Sequence, residues 1–490
     1  MSFYFIDNMR AVTAGRWVRK IPEDYRILGL GIDSREDLFE RMFVAIRGEN
    51  FDGHDFLHEA AENGASVLVI DRAIPEEELP NDVGILQVRD SRDTLKRLAR
   101  AYRQQLKLTK VIAVTGTAGK TTTKELVAAA LSPSMRGRTA PKSFNNDIGV
   151  PLTILSADPS DQFLVVEIGT SGPGEIDELA RIAEPDIAII TNVGHGHLAG
   201  LGTPEDVARE KMSILNHVRR TGMAVINADI PLLRSASSFF KNIVTFGESP
   251  EADIRVSDRG FDGTHWWFDL NGRQRYKIPL PGRHNALNAA AAVAVARRFG
   301  VNDVLVSRGL SETAAPPMRL TLEDVGSMRV YNDAYNANPE SMIAALETFL
   351  ELEYGAQRRV LILGDMLELG KAGPELHRHL ADLIIEADRR STIDRVVLIG
   401  ELTTHTATVL RQRWDRKRVT KRVKLTPSAI EVVLKVLNPT DAVLVKGSRR
   451  IGLERIVNAL IDQRGDIEYD DDDTVEVETL AGGATIERLR

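Results

Sequence analysis

The chain of 490 residues contains no cysteine, so disulfides and thiolate metal sites are excluded. That absence fits a cytoplasmic enzyme without requiring one. No apolar run approaches the ~20 residues that a membrane span needs, so none is expected. The opening MSFYFIDNMRAV lacks a basic start, a long apolar stretch and a cleavage site, and no signal peptide is expected. A strong charge of one sign is also missing from the body of the chain. The formal net charge is −7, but Arg464 to Arg490 holds nine acids against three arginines, a net of −6. The remainder therefore carries only −1, which argues against nucleic acid as the main partner. The acidic segment 464–490 is expected to be a disordered or loosely attached tail. Apolar content of 43% and charged content of 27% are ordinary for a soluble globular chain. The length suggests roughly three domains.

What is present centres on VIAVTGTAGKTTTKELVAAAL, Val111 to Leu131. Val111–Val114 reads as a buried strand, Gly116–Lys120 as a glycine-bounded turn, and Thr121–Leu131 as a helix. Strand, tight turn and helix start aim backbone N–H groups and a helix dipole at one point, which suits a polyphosphate. Gly116 and Gly119 allow close approach, Lys120 adds positive charge, and Thr121 offers a hydroxyl to a Mg²⁺ on the phosphates. The common phosphate loop is G-x-x-x-x-G-K-[ST]; here Val114 stands where its first glycine would be, so the loop is a shorter G-T-x-G-K-T-T form.

Three α/β units follow from the pattern. Residues 1–105 form a small first unit, with strands at Ala65–Ile70 and Ile85–Val88 and an amphipathic helix at Leu95–Leu106. Between Asp33-Ser34-Arg35 and those strands, Gly48, Asn50, Asp52 and Gly53 mark a loop. Arg35, Arg47 and His54 either face a ligand phosphate there or are ordinary loop residues. Residues 106–315 alternate strands (Phe163–Ile168, Asp186–Asn192, Met223–Ile226) with helices at 174–183 and 203–219, which predicts a parallel sheet. Within that unit, 245–282 reads as a small antiparallel insert, and Asn285–Phe299 as an alanine-rich helix. Pro316-Pro317 opens a Rossmann-like unit, 316–463, with strands at Arg329–Asn332, Val360–Leu363, Arg395–Ile399 and Ala442–Val445. The basic run Arg411–Lys424 reads as a solvated helix face and loop.

Polar residues sit at the carboxyl ends of these strands, where open α/β sheets place their ligands. Glu167, Asn192, Asp333, Asp365 and Lys446 all do so, and His195 and His197 follow Asn192. Glu167 with His197 would suit a second Mg²⁺ beside the phosphates. Lys211 lies in a helical segment, where a lysine is usually solvated or paired with Glu205 or Asp206.

Together these strings resemble the Mur ligase family, ATP-dependent amide-forming enzymes of peptidoglycan precursor synthesis. The match runs from about residue 30 to 460: DSR and FVAIRGENFDGHDF, TGTAGKTTTKE, SFNNDIGVPLTIL, PGEIDELARIAEPDIAIITNVG, GRHNALNAAAAVAVA, NDAYNANPESM, LGDMLELG and KGSRRIGLERIV. NNDIGVP, YNANP and GDMLELG point to the branch that adds D-Ala-D-Ala to UDP-N-acetylmuramoyl-tripeptide. The resemblance implies that the first domain holds the UDP-sugar, the second ATP, and that the third closes over both and takes the dipeptide. It places Thr115, Gly116, Thr117, Ala118, Gly119, Lys120, Thr121 and Thr122 around the phosphates, and Asn285 and Asn288 at the adenine. Thr121 and Glu167 would hold one Mg²⁺ and His197 a second, with Lys211 at the position of a lysine that many members carbamylate. Arg319 and Asp333 would reach ATP from the third domain. Ser34, Arg35, Arg47, Asn145 and Asn146 would serve the UDP-sugar-peptide, and Tyr335, Asn336, Asn338 and Asp365 the dipeptide. The catalytic set is then Lys120, Glu167, His197, Lys211, Arg319 and Asp333. The implied protein is a cytoplasmic monomer.

Two departures stand out. Members often read G-A-N-H-x-G-E-I where this chain has G-T-S-G-P-G-E-I, so Ser171 and Gly172 replace an amide and an imidazole. The usual V-G-P-A-H-L is V-G-H-G-H-L, which makes His195 an extra imidazole without an assigned role. The alternatives are a folylpolyglutamate synthase of the same superfamily and a catalytically silent UDP-sugar- or ATP-binding protein.

Overall fold

The computed structural model describes residues 6–465, apart from 23–24, 26, 49, 142, 263 and 353–356; the acidic tail lies outside the described residues. Three sheets follow one another along the chain. The first has five strands in the order Arg16–Arg19, Gly84–Gln87, Val67–Ile70, Arg41–Val44, Gly29–Gly31. All neighbours run parallel except the first pair. The strand Arg41–Val44, buried from Met42 on, precedes the loop marked by Gly48 and Gly53.

The nine-stranded second sheet is built around Lys110–Thr115, with Phe163–Glu167 on one side and Ile187–Ile190 on the other. These strands are buried throughout or nearly so, which explains their unbroken apolar sequence. The antiparallel insert is not a separate sheet. Ile254–Phe261 pairs in parallel with Ile243–Gly247 and antiparallel with Trp266–Leu270, so the insert extends the central sheet at one edge. The six-stranded third sheet runs Thr321–Val325, Met328–Asp333, Ala442–Lys446, Arg359–Gly364, Arg395–Ile399, Val419–Arg422. Part of the basic run is therefore an edge strand, Val419–Arg422, with Arg418 stacked 4.0 Å over Trp414. A short basic edge strand is a usual guard against edge pairing.

Two helices place the phosphate loop. The alanine-rich helix Arg283–Arg298 buries Ala289 to Ala296 against the helix Lys120–Leu131, where small side chains permit close approach. On the other face, Ser91–Gln105 is capped by Asp90, which accepts the Asp93 N–H at 2.7 Å. It buries Leu95, Leu98, Ala99 and Tyr102 in a core shared by the first two sheets. Arg103 in that helix is fully buried. It donates to the carbonyls of Ala183 (2.7 Å) and Glu184 (2.9 Å) and to Asp186 Oδ2 (2.8 Å), whose carboxylate also accepts the Val111 N–H (3.0 Å). Burial pulls its guanidinium down to about 10, against the opposing pull of Asp186, and leaves it charged at neutral pH.

Removing one partner of such a buried pair strands the other charge at a cost of about 3–5 kcal/mol. Arg103→Met is therefore expected to lower the calorimetric melting temperature by roughly 5 °C or more; an unchanged melting curve contradicts this account of the junction.

Candidate nucleotide site between the second and third sheets

The phosphate loop is held open by glycine. Gly119 has φ 81°, and a β-carbon there would stand 2.7 Å from Asn288 Oδ1. At Gly116 it would meet Thr191 Oγ1 at 2.0 Å. Asn192, at the end of the neighbouring strand, fixes the loop: its carbonyl accepts the Thr117 N–H (3.1 Å) and its side-chain oxygen the Ala118 N–H (2.8 Å). Lys120 begins the helix, and its ammonium donates back to the Gly116 carbonyl at 2.9 Å.

Around this loop lies a cleft of about 470 Å³. Thr117 to Thr122 line it, with Asn145, Glu167, Asn285, Asn288, Arg319, Asp333, Tyr335, Asn336 and Asn338. Thr115 and Gly116 lie outside the lining: Thr115 is buried in the strand and Gly116 is turned against Thr191. A larger groove, about 570 Å³, runs between the edge strand Gly29–Gly31 and the helix Gly149–Leu155. None of the strand-end polar groups reaches it, so the chemistry belongs to the smaller cleft.

At its floor the Thr121 hydroxyl donates to Glu167 Oε2 at 2.8 Å and accepts from Arg319 at 2.9 Å. Glu167 Oε1 accepts from Asn145 at 2.9 Å. Arg319 lies with its guanidinium 4.3 Å over the Tyr335 ring. Its neighbours Met318 and Leu320 both have φ 56°, conformations costing about 1–3 kcal/mol each that survive only where the surroundings enforce them.

Two lysines here are desolvated: Lys120 lines the cleft, whereas Lys211 lies outside its lining. Desolvation lowers the Lys120 ammonium, the Arg319 charge lowers it further, and Glu167 opposes both. Lys211 is fully buried, its Nζ has no hydrogen-bond partner, and burial with the Lys120 charge pushes it well below the usual lysine range. It does not pair with Glu205 or Asp206. Asp206 instead caps its own helix through Thr203, and Glu210 caps the helix Glu175–Ala183 by accepting the N–H groups of Gly174 and Ile176 at 2.8 Å each. Asp333 is raised by burial, partly offset by Lys446, which donates to it at 2.6 Å.

Other expected site residues lie elsewhere. Asp365 does not line the cleft: its oxygens accept the backbone N–H groups of Glu401 (2.8 Å) and Thr403 (2.7 Å), where they cap the helix Thr403–Arg413. Asn146 accepts the N–H of Gly149 at 2.8 Å and starts the helix Gly149–Leu155; its neighbour Asn145 faces the cleft instead. His197 is outside the lining, with Nδ1 2.8 Å from Glu368 Oε2. Ser34 donates to Glu59 at 2.5 Å, Arg35 pairs with Asp33 at 2.6 Å, and Arg47 lies 3.4 Å from Asp52; all three sit on the first unit, away from the cleft. His54 is buried between Asp52 (2.6 Å) and Asp71 (3.3 Å), so it does not face a ligand.

The lining also contains residues for which sequence reasoning assigned no role: Ser143, Asn227, Asp229, His284, Glu340 and Lys446. Burial, then the Lys446 charge, lowers His284 to about 4, so it is a neutral imidazole. Lys446 had a signal, the strand-end position; His284 had only its place beside Asn285.

A glycine turn between strand and helix, a lysine at the helix start and a cation-rich cleft under a second sheet define a phosphate-loop nucleotide-binding α/β protein. Comparison with known proteins narrows this. Residues 26–103 match the Mur ligase family catalytic domain, 114–296 the Mur ligase middle domain, and 318–449 the Mur ligase glutamate ligase domain. A UDP-N-acetylmuramoyl-tripeptide–D-alanyl-D-alanine ligase of Bacillus subtilis is 36% identical over 461 residues, 93% of this chain and 98% of that protein. The chain belongs to the Mur ligase family. A crystal structure of MurF from Acinetobacter baumannii superposes with a TM-score of 0.83 at 28% identity, covering 94% of this chain and 99% of the other. MurF from Thermotoga maritima in complex with ADP gives 0.77 at 27%, covering 91% and 100%.

Forcing a β-carbon into the left-handed position of Gly119, against Asn288, adds roughly 1–2 kcal/mol of strain and a clash. Gly119→Ala is expected to weaken ADP binding about tenfold or more by titration calorimetry; parent-like affinity contradicts the role given to that turn.

Proposed function

We propose that this chain is an ATP-dependent ligase that joins D-Ala-D-Ala to UDP-N-acetylmuramoyl-tripeptide in peptidoglycan precursor synthesis. The observation that carries the reading is the cleft itself, where Lys120, Arg319 and Lys446 converge on a desolvated space with Glu167 and Asp333. Such a cluster of like charges is relieved by a polyanion. Full-length similarity to the Bacillus subtilis ligase supports the substrates.

The chemistry follows from positioning and charge. A carboxylate oxygen of the tripeptide attacks the terminal phosphorus of ATP, ADP leaves, and an acyl phosphate forms. The amine of D-Ala-D-Ala then attacks the acyl carbon, phosphate leaves and a proton is lost from nitrogen. Lys120 and the N–H groups of 119–122 hold the transferred phosphoryl group, and Arg319 neutralises charge that develops on it. Tyr335, Asn336 and Asn338, on the wall from the third sheet, face the incoming dipeptide. Enclosure by that sheet keeps water from the acyl phosphate.

The donor set fits magnesium. Thr121 hydroxyl and Glu167 carboxylate are hard oxygen ligands side by side, the kind used with phosphate oxygens around Mg²⁺. Bound there, the metal supplies charge neutralisation on the phosphates. Lys211, an orphaned buried amine whose charged form burial disfavours, is suited to add CO₂, losing a proton and gaining an anionic oxygen donor for a second ion. His197 would complete that set from beside Glu368. In this reading residues 1–105 take the UDP-sugar through Ser34, Arg35 and Arg47, 106–315 take ATP, 316–463 take the dipeptide, and the protein acts as a cytoplasmic monomer. No helix among the described residues is long and apolar enough to cross a membrane.

The direct test is phosphate release with ATP and UDP-N-acetylmuramoyl-tripeptide. Release that requires added D-Ala-D-Ala is expected; dipeptide-independent release, or glutamate-dependent release with a folate, overturns the reading. Lys120→Ala should lower turnover by roughly 10²-fold or more with the circular dichroism spectrum unchanged. Lys211→Ala should lose activity and regain it with millimolar short carboxylates; a variant that no carboxylate rescues argues against the carbamate.

A further inference from the structure

The extra imidazole, His195, is not free in the fold. Glu340, the second residue of the helix Pro339–Glu351 in the third sheet's unit, reaches across to the loop after the central strand Ile187–Ile190. Its Oε1 accepts both the backbone N–H of His195 (2.9 Å) and its Nδ1 (2.7 Å). The carboxylate fits because residue 194 is glycine: a β-carbon there would stand 2.2 Å from Glu340 Cδ. The same helix start makes a second contact. Asn338 caps the helix through Ser341 and turns its amide to the carbonyl of Thr117, in the phosphate loop, at 3.3 Å. Thr117 in turn accepts the Gly194 N–H at 3.1 Å through its hydroxyl. Helix start, loop 194–196 and phosphate loop thus form one closed set of hydrogen bonds. Farther along, the loop is gripped again, where Ala199 donates to the Glu368 carbonyl at 3.0 Å and His197 lies against the Glu368 side chain.

We infer that His195 and Glu340 are positioning residues that hold the third unit closed on the phosphate loop. Neither is placed on a reacting atom. They act through Thr117, so that the wall carrying Tyr335, Asn336 and Asn338 is seated only when the loop is in its nucleotide-binding shape. The pair is partly exposed, His195 at 44% and Glu340 at 25%, which sets the scale of its effect. Pairs of this exposure are worth roughly 0.2–1 kcal/mol, or up to about five-fold in an equilibrium.

The inference rests on the ligase reading for its kinetic arm only. The chain has no cysteine, so Arg209→Cys and Arg389→Cys in the full-length protein accept a dye pair without competition. Their side chains are 75% and 68% exposed, one on each side of the interface. With ADP and Mg²⁺, His195→Ala and Glu340→Ala should each lower the ratio of short- to long-distance populations by about 1.4- to five-fold relative to the labelled parent. In the ligase assay each should raise the KM for ATP by a similar factor, with kcat within about twofold. The double variant should be no worse than Glu340→Ala alone, because the two residues make one contact. A multiplicative double variant or an unchanged distance distribution overturns the inference. If the parent shows no dipeptide-dependent phosphate release, the substrate reading fails, and the distance measurement still decides the latch.

Discussion

One hydroxyl oxygen, that of Thr121, ties three distant stretches of chain together. It belongs to the helix that follows the phosphate loop, it donates to Glu167 at the end of the neighbouring strand, and it accepts from Arg319 at the entry to the third sheet. A serine or threonine oxygen can serve as donor and acceptor at once, and here both capacities are used. The carboxylate fixes the hydroxyl's orientation, and the hydroxyl fixes the guanidinium. The segment carrying Arg319 runs through two left-handed residues, and this bond, with the Tyr335 ring, is among the contacts that compensate the strain.

The same geometry concentrates charge. Lys120 feels the charge of Arg319 and Lys211 that of Lys120, and both are desolvated. Neither has a dedicated carboxylate partner of the kind that Lys446 has in Asp333. A folded protein seldom leaves ammonium groups in that condition without function. Lys120, which lines the cleft, is open to an anion from outside. Lys211, fully enclosed, has its charged form disfavoured by burial. Two lysines, one in the cleft lining and one outside it, thus differ in their access to water.

The nucleotide end of the site was legible in the sequence because its determinants are contiguous. Strand, glycine turn, lysine and helix occupy 111–131, and periodicity alone separates them. The buried parallel strands were equally plain. Edge strands were not: Arg16–Arg19, Gly29–Gly31, Thr321–Val325 and Val419–Arg422 are short and half-exposed, and they carry no apolar run. The strand-end rule located Asp333, Asp365 and Lys446 together but could not sort them. Asp365 is consumed by two backbone N–H groups of a helix start, whereas Lys446 and Asp333, 113 positions apart in sequence, meet in the cleft. Which acid caps a helix and which meets a ligand depends on helix placement, and no spacing within one segment encodes that. The edge extension by 254–278 was hidden for a similar reason, since it depends on pairing with Ile243–Gly247.

The loop after Ile187–Ile190 shows how one segment serves two masters. Asn192 shapes the phosphate loop with its carbonyl and side chain, and three to seven residues later His195, Ala199 and their neighbours meet the third unit. Glycines at 194 and 196 make this possible, because a side chain at either would strike Glu340 or Thr117. A contact made by the third unit is therefore felt at the phosphate loop through one short, close-packed link, with Thr117 as the shared residue. Coupling of this kind needs no long pathway: it follows from two surfaces that share an atom's width of clearance.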